Sequence, residues 1–453
     1  MLYWITFATG LIGVNVIAFL AVLWSLRPWV KTAHRRRVLA CLVSVFLLLN
    51  LPLAVFFFRP LDVLLMPFPA AVMEMLFLPS AAWVSALLLY SLLVICGAVG
   101  WAAWSLWRKL SRYRTSTRHP VPTVEVPTMA VSTPASVPVN EPSEVAVWPE
   151  RRKFIAGGVG LALPALFGVS AYGLHGALDD LEVSPELSIP IPHLSAALDG
   201  LRVVQLSDIH VGPYLRRREL ESLVARVNAL RPDIIAITGD LIDRDLASLP
   251  DTVAGLRGLR ATRGIYMVLG NHDIYADPYS YTSQYRGGVE IAEAMARIGV
   301  RTLRDESAMV GEGNDRLAVM GLDWIVPRRE TGNLFYDETR TRLALQAMDA
   351  SLAPETPKIL LVHHPESFRE VPGHQIGLTL AGHTHGGGQI LLGDYGGQPV
   401  GLAMIRFKFK RGLYREGAAS LYVSRGIGYL GVPIRLNCPP EICQFVLTRA
   451  PSA

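Results

Sequence analysis

A chain of 453 residues is long enough for one large domain with accessory segments. Its 51% hydrophobic content is high for a soluble protein, and the excess lies before residue 180, so the average covers two unlike regions. The 43 Lys and Arg outnumber the 38 Asp and Glu, yet this does not point to nucleic acid. Many of the basic residues flank apolar runs, where they serve to orient a membrane chain.

Leu2–Leu26 carries no charged residue and is long enough to cross a bilayer; Val38–Phe58 is a second such run and Phe77–Trp107 contains a third. The intervening Arg59–Leu76, with Pro60, Pro67, Pro69, Asp62 and Glu74, reads as a loop or interfacial segment. Thr115–Trp148 is rich in Pro, Thr, Ser and Val without helical periodicity and reads as a flexible linker. Arg151-Arg152-Lys153 precedes a fourth, weaker apolar run, Phe154–Gly173. The basic triplet is similar to a twin-arginine export signal, but its internal position favours a plain cytoplasmic anchor. The organisation expected is three spans over 1–112, a linker over 113–150, a fourth span over 151–178 and a catalytic domain over 181–453. Basic clusters within 31–37, 108–118 and 151–153 put the linker inside and both the N-terminus and the catalytic domain outside. Cys41 and Cys96 fall in the apolar runs, whereas Cys438 and Cys443 are spaced either for a disulfide or for two free thiols.

From Leu201 the pattern becomes that of a soluble α/β domain. Short apolar runs at Leu201–Leu206, Ile234–Thr238, Ile265–Leu269, Ile359–Val362 and Leu378–Ala381 read as buried strands. Arg217–Leu230 has helical apolar spacing at Leu220, Leu223, Val224, Val227 and Leu230, so one face should pack on the sheet. Strands and helices are expected to alternate to about Ala381. Beyond it, Gln389–Leu392, Leu421–Ser424 and Gln444–Leu447 suggest a second, mixed sheet.

Each of the five runs ends directly in a polar cluster: Asp208-Ile209-His210, Gly239-Asp240, Gly270-Asn271-His272-Asp273, His363-His364-Pro365 and Gly382-His383-Thr384-His385. Residues just past strand C-termini are where open α/β folds place their sites. The donors are oxygen and imidazole with no thiolate, which suits Mn, Fe or Zn and is too rich in His for a dedicated Mg or Ca cage. They are too many for one ion. A two-metal centre needs a bridging ligand, and the centrally placed Asp240 is the natural bridge. His175 and His374 match no cluster and are expected to be structural. Arg216-Arg217-Arg218 reads as a solvated helix start, and Gly386-Gly387-Gly388 as a tight turn beside the metals.

The order D-x-H, G-D, G-N-H-D, H-x-P, G-H-x-H resembles the calcineurin-like metallophosphoesterase superfamily. The tail from Gly426 to Ile442 resembles its membrane-associated bacterial branch. The resemblance implies an α-β-β-α sandwich, preceded here by the transmembrane helices. It implies one ion held by Asp208, His210, Asp240 and His385, and the other by Asp240, Asn271, His363 and His383, with His364 supporting. His272 would act as general acid, Asp273 would orient its ring, and Asp243 would support the site. The activity implied is hydrolysis of a phosphoric ester or anhydride by water. Membrane attachment favours a phosphodiester, lipid-linked or of the envelope, cleaved at a bacterial inner membrane on its periplasmic side, with no nucleic-acid partner. Cleavage of UDP-2,3-diacylglucosamine and a non-catalytic sensor or scaffold are the alternatives.

Overall fold

The computed structural model describes residues 180–451 except 213, 244, 277–285, 325–335, 396–397, 402–406 and 431–433, with isolated positions at 19, 20, 37–41, 43, 44, 46, 47, 83, 86, 104, 107 and 168. The chain divides into two compact units, Met1–Tyr172 and Gly173–Ala453. The isolated positions of the first unit are helical, but the four expected spans otherwise lie outside the described residues. Among the described residues no helix is long and apolar enough to cross a membrane.

In the second unit, β1 (Glu182–Val183) and β2 (Leu187–Ile191) lead to β3 (Leu201–Leu206), α1 (Arg217–Ala229), β4 (Ile234–Thr238), α2 (Leu249–Leu256) and β5 (Ile265–Val268). A single turn, α3 (Asn271–Ile274), then α4 (Arg286–Ala296) and β6 (Val300–Thr302) follow. Next come β7 (Glu306–Glu312), β8 (Asp315–Gly321), α5 (Glu338–Ala350), β9 (Lys358–Leu361) and β10 (Ile376–Ala381). The chain closes with β11 (Leu391–Tyr395), β12 (Gln398–Gly401), β13 (Gly412–Glu416), β14 (Ala419–Val423) and β15 (Glu441–Arg449).

Among the described residues, one sheet runs β1-β15-β3-β4-β5-β6 with β2 also on β15, and a second runs β13-β14-β10-β9-β8-β7. The central strands are parallel and buried on both faces, which is why β4, β9 and β10 read as unbroken apolar runs. Val203, Ile234, Val268, Val319, Ile359 and Leu380 fill the space between the sheets. Outside the first sheet, Leu220, Leu223, Val224 and Val227 of α1 and Ile291 of α4 pack on Val204, Ile235 and Ile237. Outside the second, Leu345 and Met348 of α5 meet Leu360 and Leu421. The result is the expected four-layer α-β-β-α sandwich.

The tail departs from expectation. Gln444–Leu447 belongs to the first sheet, because β15 inserts antiparallel beside β3 and turns Cys443, Phe445 and Leu447 into the interlayer. The run at Gln389 forms a separate hairpin, β11–β12, and only Leu421–Ser424 joins the second sheet. The expected alternation also breaks at β7–β8, an antiparallel hairpin turned at Gly313-Asn314, where Gly313 is left-handed. Parallelism has one consequence for function: β3, β4, β5, β9 and β10 all end at the same rim.

Candidate metal centre

At that rim the chain must leave each strand sharply. Asp208 (φ 50°), His210 (φ 49°), Asp240 (φ 53°), His383 (φ 72°) and His385 (φ 47°) all take left-handed backbone. Asp and His accept this conformation more readily than most non-glycine residues, and β-branched residues hardly at all. The turns are laddered to each other: Asp208 N donates to the Gly239 carbonyl at 3.0 Å and His210 N to the Asp240 carbonyl at 3.0 Å. Two glycines are dictated by crowding. A Cβ on Gly270 would lie 2.2 Å from Asp240 Oδ1, and one on Gly382 would lie 2.3 Å from Asp208 Oδ2. Gly386, Gly387 and Gly388 form the tight turn expected, all three left-handed.

The predicted ligands come together in two groups. In the first, His385 Nε2 lies 3.0 Å from His210 Nε2 and 3.5 Å from Asp208 Oδ1. In the second, His363 Nε2 lies 3.2 Å from His383 Nδ1 and 3.1 Å from Asp240 Oδ2. The same Asp240 Oδ2 is 3.7 Å from His210 Nε2, so one oxygen touches both groups. Its other oxygen accepts from the His272 N–H at 2.8 Å. Asn271, the first residue of α3, offers a buried Oδ1 with no hydrogen-bond partner among the described residues.

Hydrogen bonds set which ring atoms are free. His363 Nδ1 donates to the Thr238 carbonyl at 2.7 Å, leaving the Nε2 lone pair for the site. Asp208 accepts from Ser207 Oγ at 2.6 Å and from the His383 N–H at 2.9 Å. Burial opposes a charge on His363, but the Asp240 carboxylate outweighs it and pushes the ring up to about 9, so a cation taking the Nε2 lone pair would displace a proton held there. Burial raises Asp208, whereas at Asp240 burial is outweighed by His363 and His272, which hold it well below the usual carboxylate range. Burial, then the neighbouring rings, keep His383 and His385 neutral, as metal ligands must be.

His272 sits beside His210, with ring centroids 4.6 Å apart, and its Nδ1 donates to the Asp243 carbonyl. The expectation that Asp273 orients this ring is corrected. Asp273 instead accepts from the backbone of Leu241 at 2.8 Å and Gly270 at 2.9 Å, stitching two ligand turns together. A residue at the third helical position is aimed back at its own N-terminus, which the sequence alone already signals. Asp243 supports both rings: its Oδ1 lies 3.7 Å from His210 Nδ1 and 3.6 Å from His272 Nδ1. His364 lies against the His383 ring, with centroids 4.8 Å apart, while its Nδ1 accepts from the Glu366 N–H at 3.3 Å and its ring stacks on Tyr336. His374 pairs with Asp349 at 3.0 Å, far from any cluster, and His175 lies outside the described residues. Cys438 and Cys443 are free buried thiols.

Three neighbours escaped the sequence reading. Trp324 lies 5.4 Å from His383 and 5.5 Å from His363 between ring centroids, and Phe407 lies 5.4 Å from His383. Asp323-Trp324 follow the apolar β8 as the ligands follow their strands, so this signal was available. Arg435, within the tail from Gly426 to Ile442, is buried, donates to the Gly428 carbonyl at 3.1 Å and brings Nη2 within 3.4 Å of His385 Nδ1.

This donor set fits divalent ions: two carboxylates, four imidazoles and an unpartnered amide oxygen converge closely enough to hold cations between them. The calcineurin-like phosphoesterase family model matches residues 201–387. An uncharacterised metallophosphoesterase of Bacillus subtilis, YkuE, is 31% identical over 308 residues, covering 66% of this chain and 97% of that protein. The chain belongs to the calcineurin-like metallophosphoesterase family. A Danio rerio transmembrane protein with a metallophosphoesterase domain is 32% identical over 301 residues, or 64% of this metallophosphoesterase, which spans 62% of that relative's length. Among solved structures, TT1561 of Thermus thermophilus is 16% identical, with a TM-score of 0.33 over 50% of this chain and 90% of that one.

Proposed function

We propose that this metallophosphoesterase is a two-metal phosphodiesterase whose substrate is lipid-linked or belongs to the cell envelope. The observation that carries the two-metal reading is the single Asp240 oxygen shared by two groups of ligands. Two divalent ions bound there supply Lewis acidity to the phosphoryl oxygens and a nucleophile from water at neutral pH. The chain's own residues do the rest. Asp208, His210 and His385 would hold one ion, and Asn271, His363 and His383 the other, with Asp240 between them. His272 gives its Nδ1–H to the Asp243 carbonyl, so Nε2 must first take up a proton, as imidazolium, before passing it to the departing alkoxide. Burial opposes that charge and holds the ring below its usual value, while the Asp240 and Asp243 carboxylates favour it. Asp243 and the Thr238 carbonyl keep the rings in place.

The uncharged runs before residue 180 support membrane anchoring, and the flanking basic clusters support a catalytic unit on the periplasmic side of a bacterial inner membrane. Tethering would concentrate substrates of the same bilayer, which favours a lipid-linked diester. The UDP-2,3-diacylglucosamine reading is weaker, since that nucleotide-linked lipid is expected on the opposite face. The sensor or scaffold reading would be supported by a missing ligand, and the sequence retains all seven candidate ligands.

The test is hydrolysis of a chromogenic phosphodiester and its monoester by full-length, Mn-loaded protein beside Asp240→Asn. Diester cleavage should predominate, stop with chelator, and fall by about 10³-fold or more in the variant, roughly 4 kcal/mol. Monoester preference would make it a phosphatase. No metal-dependent turnover of either would overturn the catalytic reading.

A further inference from the structure

The first sheet alone gathers His210, Asp240 and His272, but the two groups described above each need the second sheet as well. Asp208, His210, Asp240 and Asn271 follow β3, β4 and β5 of the first sheet, and His363, His383 and His385 follow β9 and β10 of the second. The group Asp208–His210–His385 and the group Asp240–His363–His383 each draw on both. Convergence of the donors therefore depends on how the two rims are aligned. The interlayer beneath them is mainly apolar, and apolar contact is non-directional.

Polar side chains span it at several points, among them Tyr422 to Glu441 at 3.3 Å. At the level of the site His363 reaches the Thr238 carbonyl at 2.7 Å, and one further side chain there is not itself a candidate ligand. Gln205, three residues before Asp208 and fully buried, donates through its amide nitrogen to Thr238 Oγ1 at 2.9 Å and to the Ala381 carbonyl at 2.9 Å. A carbonyl only accepts, so the contact with Ala381 fixes which way the amide faces. Thr238 ends β4, immediately before Gly239-Asp240, and its own carbonyl holds His363. Ala381 ends β10, immediately before Gly382-His383. One amide thus ties three ligand-bearing strand ends, two of the first sheet and one of the second.

Gln205 is a poor choice for stability alone. Its Oε1 is buried without a hydrogen-bond partner among the described residues, which costs free energy. The Ala381 carbonyl also accepts from the Ser424 N–H at 2.9 Å, so it would stay satisfied if Gln205 were apolar; Thr238 Oγ1 would lose this donor, which offsets the relief of Gln205 Oε1. We infer that Gln205 is a positioning residue that locks the two rims in the register at which both ions are held together. This rests on the two-metal reading above.

The experiment compares full-length wild type with Gln205→Met by Mn titration, by the EPR signal of a coupled Mn pair, and by metal-free Tm. Wild type should bind two Mn ions with a coupled signal. Gln205→Met should keep the metal-free Tm or raise it, bind its second Mn about 10- to 100-fold more weakly, and show isolated Mn. If the methionine disturbs packing, the isosteric Gln205→Glu is read the same way, since one acid proton cannot serve both acceptors. Wild-type affinity and coupling in the variant would overturn the inference. So would a fall in metal-free Tm that accompanies the metal loss, because Gln205 would then be a general support of the fold. A wild type with no coupled pair would overturn the two-metal reading itself, and the inference with it.

Discussion

The two flanks of the centre are built from the same kinds of atom but set in different surroundings. Around Asp208, His210 and His385 stand charges: the Asp243 carboxylate behind His210 and the Arg435 guanidinium beside His385. Around Asp240, His363 and His383 stand rings, with Trp324 and Phe407 in contact and His364 and Tyr336 behind them. By ligand identity the two positions differ only in Asp208 against Asn271. Their neighbours widen that difference, since charges tune an ion strongly in a buried site, whereas rings mainly exclude water.

The sharpest way to break this comparison removes one ligand from each flank. His385→Ala and His383→Ala should each lower bound Mn from two ions to one and cut diester hydrolysis by about 10²- to 10³-fold, roughly 3–4 kcal/mol. Elemental analysis counts the ions. If either variant loses both, the flanks are not separable. A smaller effect is expected from Asp243→Asn, which keeps the carbonyl under His272 but removes the charge facing His210. Metal affinity should fall about 10- to 100-fold on the charged flank only. Titration of Asp243→Asn and of Asp243→Asn with His383→Ala shows which ion responds, and an equal loss at both positions would refute the asymmetry.

The smallest effect lies away from the rim. Asp349 pairs with Lys358 at 2.7 Å and with His374 at 3.0 Å. Burial raises the Asp349 carboxyl, but these two partners outweigh it and hold it below the usual carboxylate range. A carboxyl depressed in the fold stabilises it above the unfolded value and loses that contribution as pH falls through the folded one. Asp349→Asn should therefore cost at most about 1 kcal/mol at pH 7, and the difference should vanish in strong acid without touching the metals. Urea denaturation at the two pH values checks this.

The candidate ligand positions and the central strands were legible because each obeys a local rule. A run buried on both faces must be apolar, as Ile234–Thr238 is, and a metal ligand must be one of few residue types. What was not legible depends on partners distant in sequence. Cys443, Phe445 and Leu447 alternate as a strand of either sheet would, and only their fit beside β3 assigns them. Asp273 adjoins His272, so adjacency suggested a pair, yet a helix start draws the carboxylate to backbone N–H groups instead. Gln205 looks like a lapse in a hydrophobic strand until Ala381 is seen across the interlayer.

The left-handed turns at Asp208 and Asp240 bear on how such a protein would decay over generations. Asn shares with Asp the tolerance for this backbone and nearly the same shape. A descendant that exchanged either aspartate for asparagine would keep its rim, its sheets and its surface while losing its ions. Inactive copies of this chain are thus expected to remain well folded and available for new roles, and they would be told from working ones by a single atom type at two positions.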